Sequence, residues 1–168
     1  MDEKTRGEKE GITFHYVKPS EIPAAALEGV ERLIRLGDAV GSSYVKENLR
    51  NAFLIGYAAD ASGEVIGTVT LKRQKVPYLR KLQAATGLDL GNYLERGYTS
   101  VDKAWRGCGI GAELIAGLIR RSPEQKVYVT IRMDNGPALE LTRKHGMTLA
   151  ATFHHEKTGH EIGLFVNR

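Results

Sequence analysis

The chain has 168 residues, 42% of them hydrophobic and 26% charged, enough for one domain that buries roughly 70% of the surface its unfolded form exposes. A single cysteine excludes an internal disulfide framework, no apolar stretch approaches the roughly 20 residues of a membrane span, and the first residues lack the apolar core of a secretory signal, so a cytoplasmic protein without a membrane partner is expected. The net charge of +4, spread over scattered lysines and arginines, suits an anionic ligand and is too mild for a nucleic-acid surface.

Residues 1–11 carry seven charges and only Met1 as a large apolar side chain; they read as a mobile tail, leaving 12–168 as a single domain. ITFHYV, 12–17, alternates apolar and polar residues as a strand does. Ser20 then stands as N-cap for a helix over 21–37, in which Leu27, Val30, Leu33 and Ile34 recur at helical spacing. A short helix follows from Tyr44. Two strand-like runs, 52–58 and 64–71, flank Asp60-Ala61-Ser62-Gly63, where glycine can supply the positive φ of a hairpin loop. The stretch 74–92 has no strand alternation; it reads as a functional excursion with one helix over 78–85, stopped by Gly87. A strand returns over 93–101.

RGCGIG, 106–111, comes next, with three glycines in six positions. Beyond it Ile110, Leu114 and Leu118 form one helical row and Ile115 and Ile119 a second, up to Ser122-Pro123. Val127, Val129 and Ile131 alternate against Tyr128, Thr130 and Arg132, a strand; a helix opens near Asn135-Gly136-Pro137 and stops at Gly146. Strands over 148–154 and 160–166 close a last hairpin. Three glycines between a strand and a helix suit an anion, because a helix start exposes unpaired amides and a bare backbone lets a phosphate reach them. The ATP-type loop is excluded, since its Lys and hydroxyl are missing. Gly107, Gly109 and Ala112 fit the dinucleotide pattern G-x-G-x-x-[GA], with Asp134 downstream; the upstream antiparallel hairpin, where a βαβ half would stand, argues against a nicotinamide-binding oxidoreductase.

VDKAWRGCGIG resembles the acetyl-CoA pyrophosphate loop of the GNAT superfamily of N-acetyltransferases, [RQ]-x-x-G-x-[GA], at Arg106, Gly109 and Gly111. NGPALELTRKHGM is similar to that family's N-x-x-A-x-x-L-Y-x-K-x-G-F, at Asn135, Ala138, Leu141, Lys144 and Gly146. It departs at Thr142, where the family commonly has Tyr, and at Met147, where it has Phe. The order of predicted elements follows the family over most of the chain. The resemblance implies an α+β domain: a mixed, mostly antiparallel sheet of six to seven strands, flanked by about four helices.

It also implies acetyl transfer from acetyl-CoA, bound between the central strands, directly to a primary amine, here taken as that of a small molecule. Backbone amides at Thr99, Ser100 and Val101 would hold the pantetheine and polarise the carbonyl. Those of Arg106, Gly107, Cys108, Gly109, Ile110 and Gly111 would take the pyrophosphate, and Asn135 would sit near the pantetheine arm. Glu95 is the candidate base. The family's Tyr often protonates the departing thiolate, a task to which the Thr142 hydroxyl is ill suited; Tyr128 or Tyr98 is its candidate substitute. Cys108 invites an acyl-cysteine and His154, His155 and His160 a metal; neither is expected. Trp105 would pack under the loop, and Arg132, Arg143 and Lys144 could help hold the CoA phosphates. The acceptor would meet helices within 21–51 and the excursion, where Tyr78, Arg80 and Lys81 suit an acidic acceptor. Dimers are common in the family, which leaves a homodimer open. Two rival readings stand: a catalytically idle acyl-CoA-binding sensor, kept open by Thr142, and the nicotinamide-binding enzyme.

Overall fold

The computed structural model describes residues 11–37 and 44–168. The expected tail falls outside that range except for Gly11, as do residues 38–43 of the stretch expected to meet the acceptor. The elements are β1 (Thr13–Val17), α1 (Ala24–Gly37), α2 (Val45–Arg50), β2 (Leu54–Ala59), β3 (Val65–Lys72), α3 (Val76–Thr86), β4 (Tyr93–Val101), α4 (Ile110–Arg120), β5 (Lys126–Arg132), α5 (Gly136–Lys144), β6 (Thr148–His154) and β7 (Glu161–Val166). The seven strands are ordered β1-β2-β3-β4-β5-β7-β6, with β4 and β5 parallel, so the α+β class and mixed sheet agree with expectation. The described residues hold one more α-helix than the expected four. None of their helices is long and apolar enough to cross a membrane.

Contacts divide the described residues into two compact units, one built from those up to Lys72 with Gly97–Pro123, the other from Arg73–Arg96 with Glu124–Arg168. In the first, β2 and β3 form the predicted hairpin. Gly63, at φ +87°, closes it, and the Asp60 carboxylate accepts from the Ser62 and Glu64 amides at 2.9 and 3.0 Å. Strand alternation gives β2 two faces. Ile55 and Tyr57 join Val30, Leu33, Ile34, Val45 and Leu49 of α1 and α2 in one core; truncating a residue such as Leu33 to Ala would cost about 2–5 kcal/mol.

Gly56 lies on the opposite face, against Val69 and the ring of Tyr16. Tyr16 reaches α4: its hydroxyl donates to the Glu113 carbonyl at 3.0 Å and lies where a Cβ on Gly117 would be. The Arg121 guanidinium covers the ring at 4.1 Å. Helix α4 buries Ile110, Leu114, Ile115 and Leu118 as its pattern predicts. Ile119 does not join them, being 43% exposed.

One boundary is corrected. Helix α1 starts at Ala24, and Ser20 lies in a turn in which the Glu21 amide donates to the Lys18 carbonyl at 2.9 Å. Pro23 is the reason: it pushes the residue before it out of helical geometry, and its carbonyl accepts from Leu27 at 2.9 Å.

In the second unit β5 pairs antiparallel with β7, and β7 with β6. Tyr93–Glu95 of β4 run parallel to Lys126–Tyr128 of β5. Tyr128 and Leu164 pack against Leu82 of α3 and Leu90. On α5, Arg143 lies 6.0 Å from the ring of Phe165, the neighbour of Leu164 and therefore on the other face. The alternation read in β5 is only half realised, since Val127, Tyr128 and Val129 are all buried: this strand is covered on both sides.

Candidate active site

The glycine-rich loop lies in the first unit. Asp102 ends β4, and its carboxylate accepts from the Ala104 amide at 2.9 Å, capping a single 3₁₀ turn that includes the half-buried Trp105. The Arg106 Nε donates back to the Val101 carbonyl at 3.1 Å. Gly107 and Gly109 have φ of +80° and +79°, a left-handed backbone that costs an L-residue about 1–2 kcal/mol. Gly109 is the N-cap of α4 and, lacking a side chain, caps nothing with one. The first turn of that helix, with Ile110 buried and Gly111 half-buried, follows directly on the exposed backbone of Gly107 and Gly109. The positive end of a helix dipole and first-turn amides suit an anion. Cys108 is half-buried.

The last half of β4 prepares the same place. Tyr98 holds a φ of +50°, the sort of strained backbone that gathers at functional sites. Its hydroxyl accepts from Asn48 Nδ2 at 2.8 Å and its ring carries the Lys72 ammonium at 4.0 Å, so this tyrosine is held by α2 and β3. Ser100 donates its hydroxyl to the Leu33 carbonyl at 3.1 Å, committing its side chain to α1. Thr99 is exposed and Val101 half-buried.

The second unit brings Glu95, Tyr128 and Tyr78 together. Glu95 is only 7% exposed and Tyr128 fully buried; the Tyr128 hydroxyl points at Glu95 Oε2 over a long 3.4 Å. Tyr78 leaves 41% of its surface in solvent, yet its hydroxyl end is enclosed and bonds with Thr130. Burial first, and the Glu95 charge second, push both phenols well above the usual tyrosine range. Both stay neutral hydroxyls around the carboxylate.

On the other face of β4, Arg96 is 4% exposed. Its Nη2 donates to Thr142 Oγ1 at 2.9 Å, and its Nε and Nη1 find no acceptor among the described residues. Burial depresses the guanidinium to about 10, leaving it cationic at neutral pH. Thr142 is 1% exposed and serves Arg96. No sequence pattern singled out Arg96; its position in an alternating strand, opposite Glu95, was the available signal.

The remaining candidates are dispersed. Asn135 caps α5, its Oδ1 accepting from the Ala138 amide at 3.3 Å. Arg132 is tied to Asp134 by two bonds of 2.9 and 2.6 Å, and Lys144 is exposed. His155 Nδ1 accepts from the Lys157 and Thr158 amides inside the last hairpin. Arg80 and Lys81 are exposed on α3.

A family model described as the acetyltransferase (GNAT) family matches residues 30–147. No match was found among curated protein sequences. Several solved structures share the fold. The chain is 21% identical to Arabidopsis thaliana NAA60 in complex with acetyl-CoA, covering 92% of this chain and 98% of that one with a TM-score of 0.67. It is 16% identical to a GNAT family acetyltransferase from Elizabethkingia anophelis with acetyl-CoA bound, covering 94% and 98% with a TM-score of 0.64. It is 13% identical to a chain of the NatC complex bound to Gag peptide and CoA, covering 93% and 97% with a TM-score of 0.67.

Proposed function

Because the chain belongs to the acetyltransferase (GNAT) family, we propose that it moves an acetyl group from acetyl-CoA directly to a primary amine of a small molecule. The observation that carries this reading is Glu95: a carboxylate 7% exposed on β4, surrounded by two phenols kept neutral.

A primary amine is protonated in water, and only its free base attacks. Glu95 takes the proton, directly or through one water, as nitrogen closes on the thioester carbon. The Tyr128 hydroxyl donates toward the carboxylate and fixes its orientation, and the Tyr78 phenol beside it, bonded with Thr130, stays neutral as well, so neither competes for the proton. Backbone amides in the last half of β4 polarise the carbonyl oxygen. The amides from Arg106 to Gly111 hold the pyrophosphate, fixing the donor by its far end, so that its binding energy is available for alignment.

Thr142 favours a second reading, a module that binds acyl-CoA without turning it over, because its hydroxyl is buried and committed to Arg96. Two measurements on the pure protein test the assignment. A ligand at 100 times its dissociation constant adds about 2.7 kcal/mol to stability, so acetyl-CoA and CoA should raise the melting temperature and NADH should not. A shift with NADH alone would return the loop to the dinucleotide class. Release of free thiol from acetyl-CoA on addition of amines from a broad panel separates enzyme from sensor; saturable binding with no amine-dependent release supports the sensor.

A further inference from the structure

Two consecutive residues of β4 carry opposite charges to opposite faces of one strand. Glu95 turns to Tyr128, its partner in the parallel ladder, and Arg96 turns to Thr142 on α5. Arg96 is the less satisfied of the two. A guanidinium has five N–H donors; here one goes to a neutral hydroxyl, and neither Nε nor Nη1 has an acceptor among the described residues. Burial alone accounts for its lowered pKa, with no carboxylate offsetting it. A buried cation in that condition is costly, and the cost is relieved by an anion brought to it.

The proposed reaction produces one. As the amine nitrogen bonds to the acetyl carbon, the C–S bond breaks and its electron pair stays on sulfur, while the amine proton passes to Glu95. The products are an amide, a protonated carboxyl and a thiolate. Base and cation occupy opposite faces at the same point of the strand, so the nucleophile is served on one face and the leaving group on the other.

We infer that Arg96 receives the thiolate of the acyl donor as a hydrogen-bonding cation, with Thr142 as the positioning residue that orients the guanidinium. The guanidinium keeps its protons, and the sulfur is protonated by water when CoA leaves. This inference rests on the acetyl-CoA reading above.

Free CoA is the probe. Its thiolate absorbs in the ultraviolet, so the thiol of bound CoA can be titrated without an acceptor or turnover. In the native protein the bound thiol should ionise at least about tenfold more readily than free CoA, the ratio that corresponds to one pKa unit. Arg96→Met should return it to the free value, Arg96→Lys should retain part of the effect, and Thr142→Val should weaken it less than Arg96→Met. Should Arg96→Met fail to fold, the Lys and Val variants carry the same comparison. Bound CoA whose thiol titrates alike in native protein and both Arg96 variants overturns the inference and leaves the acetyl-CoA reading intact. Failure of CoA to bind the native protein overturns both.

Discussion

Glu95 and Tyr128 are register partners in the parallel ladder of β4 and β5, and the hydroxyl of the second points at the carboxylate of the first across 3.4 Å. The pairing places a base and its neutral donor side by side through backbone geometry alone. Replacing Glu95 by Gln preserves shape and removes the base, so kcat should fall by about 10²- to 10³-fold with acetyl-CoA affinity unchanged. Tyr128→Phe should cost only roughly two- to tenfold, the value of one hydrogen bond. Steady-state kinetics with a responsive amine check both, and equal losses would assign Tyr128 a more direct part.

The same pair predicts alkaline behaviour. Burial and the Glu95 charge raise the folded pKa of Tyr128 above its ordinary 10.0, and those of Tyr78 move the same way for the same reasons. A folded pKa above the unfolded one gives stability that is complete below the unfolded value and drains away as pH rises past it. The melting temperature of the native protein should therefore fall beyond about pH 10, and that of Tyr128→Phe should fall less steeply. Parallel curves would contradict the assignment.

Arg96→Met should leave the fold as stable or more so. A guanidinium held at about 10 by burial has a folded pKa below its unfolded one, so its charge opposes folding at neutral pH. Exchanging such a charge for an apolar side chain of similar length should be neutral or add about 1–4 kcal/mol, seen as a rise of a few degrees in thermal melts. A fall of that size would mean that the charge is already compensated.

Two glycines of the loop should respond differently. Gly109→Val forces a side chain into φ +79°, costing about 1–2 kcal/mol and lowering acetyl-CoA affinity as the cradle distorts. A Cβ on Gly111 meets Val101 Cγ2 at 3.7 Å, an ordinary contact, so Gly111→Ala should change neither melting temperature nor affinity. Calorimetric titration with acetyl-CoA distinguishes the two.

Arg80 and Lys81 lie exposed on α3, the helix that also carries Tyr78. Replacing both with Ala should raise KM for an acidic amine by roughly threefold to tenfold, in keeping with exposed charge pairs, and leave the dissociation constant of CoA alone. Equal weakening of both would end the case for an acidic acceptor.

What the sequence disclosed was local. The hairpin at Asp60–Gly63, the strand Tyr93–Val101, the glycine loop and the helix start near Asn135-Gly136-Pro137 each announce themselves within a dozen residues, because turn chemistry and periodicity act at that range. Pro23 was equally local; its effect on the start of α1 outweighed the cap expected at Ser20. Arg96 and Thr142, by contrast, are 46 positions apart and meet only through the packing of α5 on the sheet. Tyr78 and Glu95 are likewise joined by tertiary packing, which no spacing rule encodes. Thr142 on its own marks the absence of the family's tyrosine; in the fold its hydroxyl accepts from the Arg96 guanidinium.

The contact between Tyr16 and α4 has an orienting consequence. Successive residues of a helix are turned by about 100°, so rotating α4 to present Ala116 or Leu118 in place of Gly117 would drive a side chain into the Tyr16 hydroxyl. The helix has one permitted azimuth, locked by the bond to the Glu113 carbonyl. Gly109, its N-cap, lies about two turns from Gly117. The bearing of the amides that face an incoming phosphate is thus set from an edge strand more than ninety residues earlier in the chain.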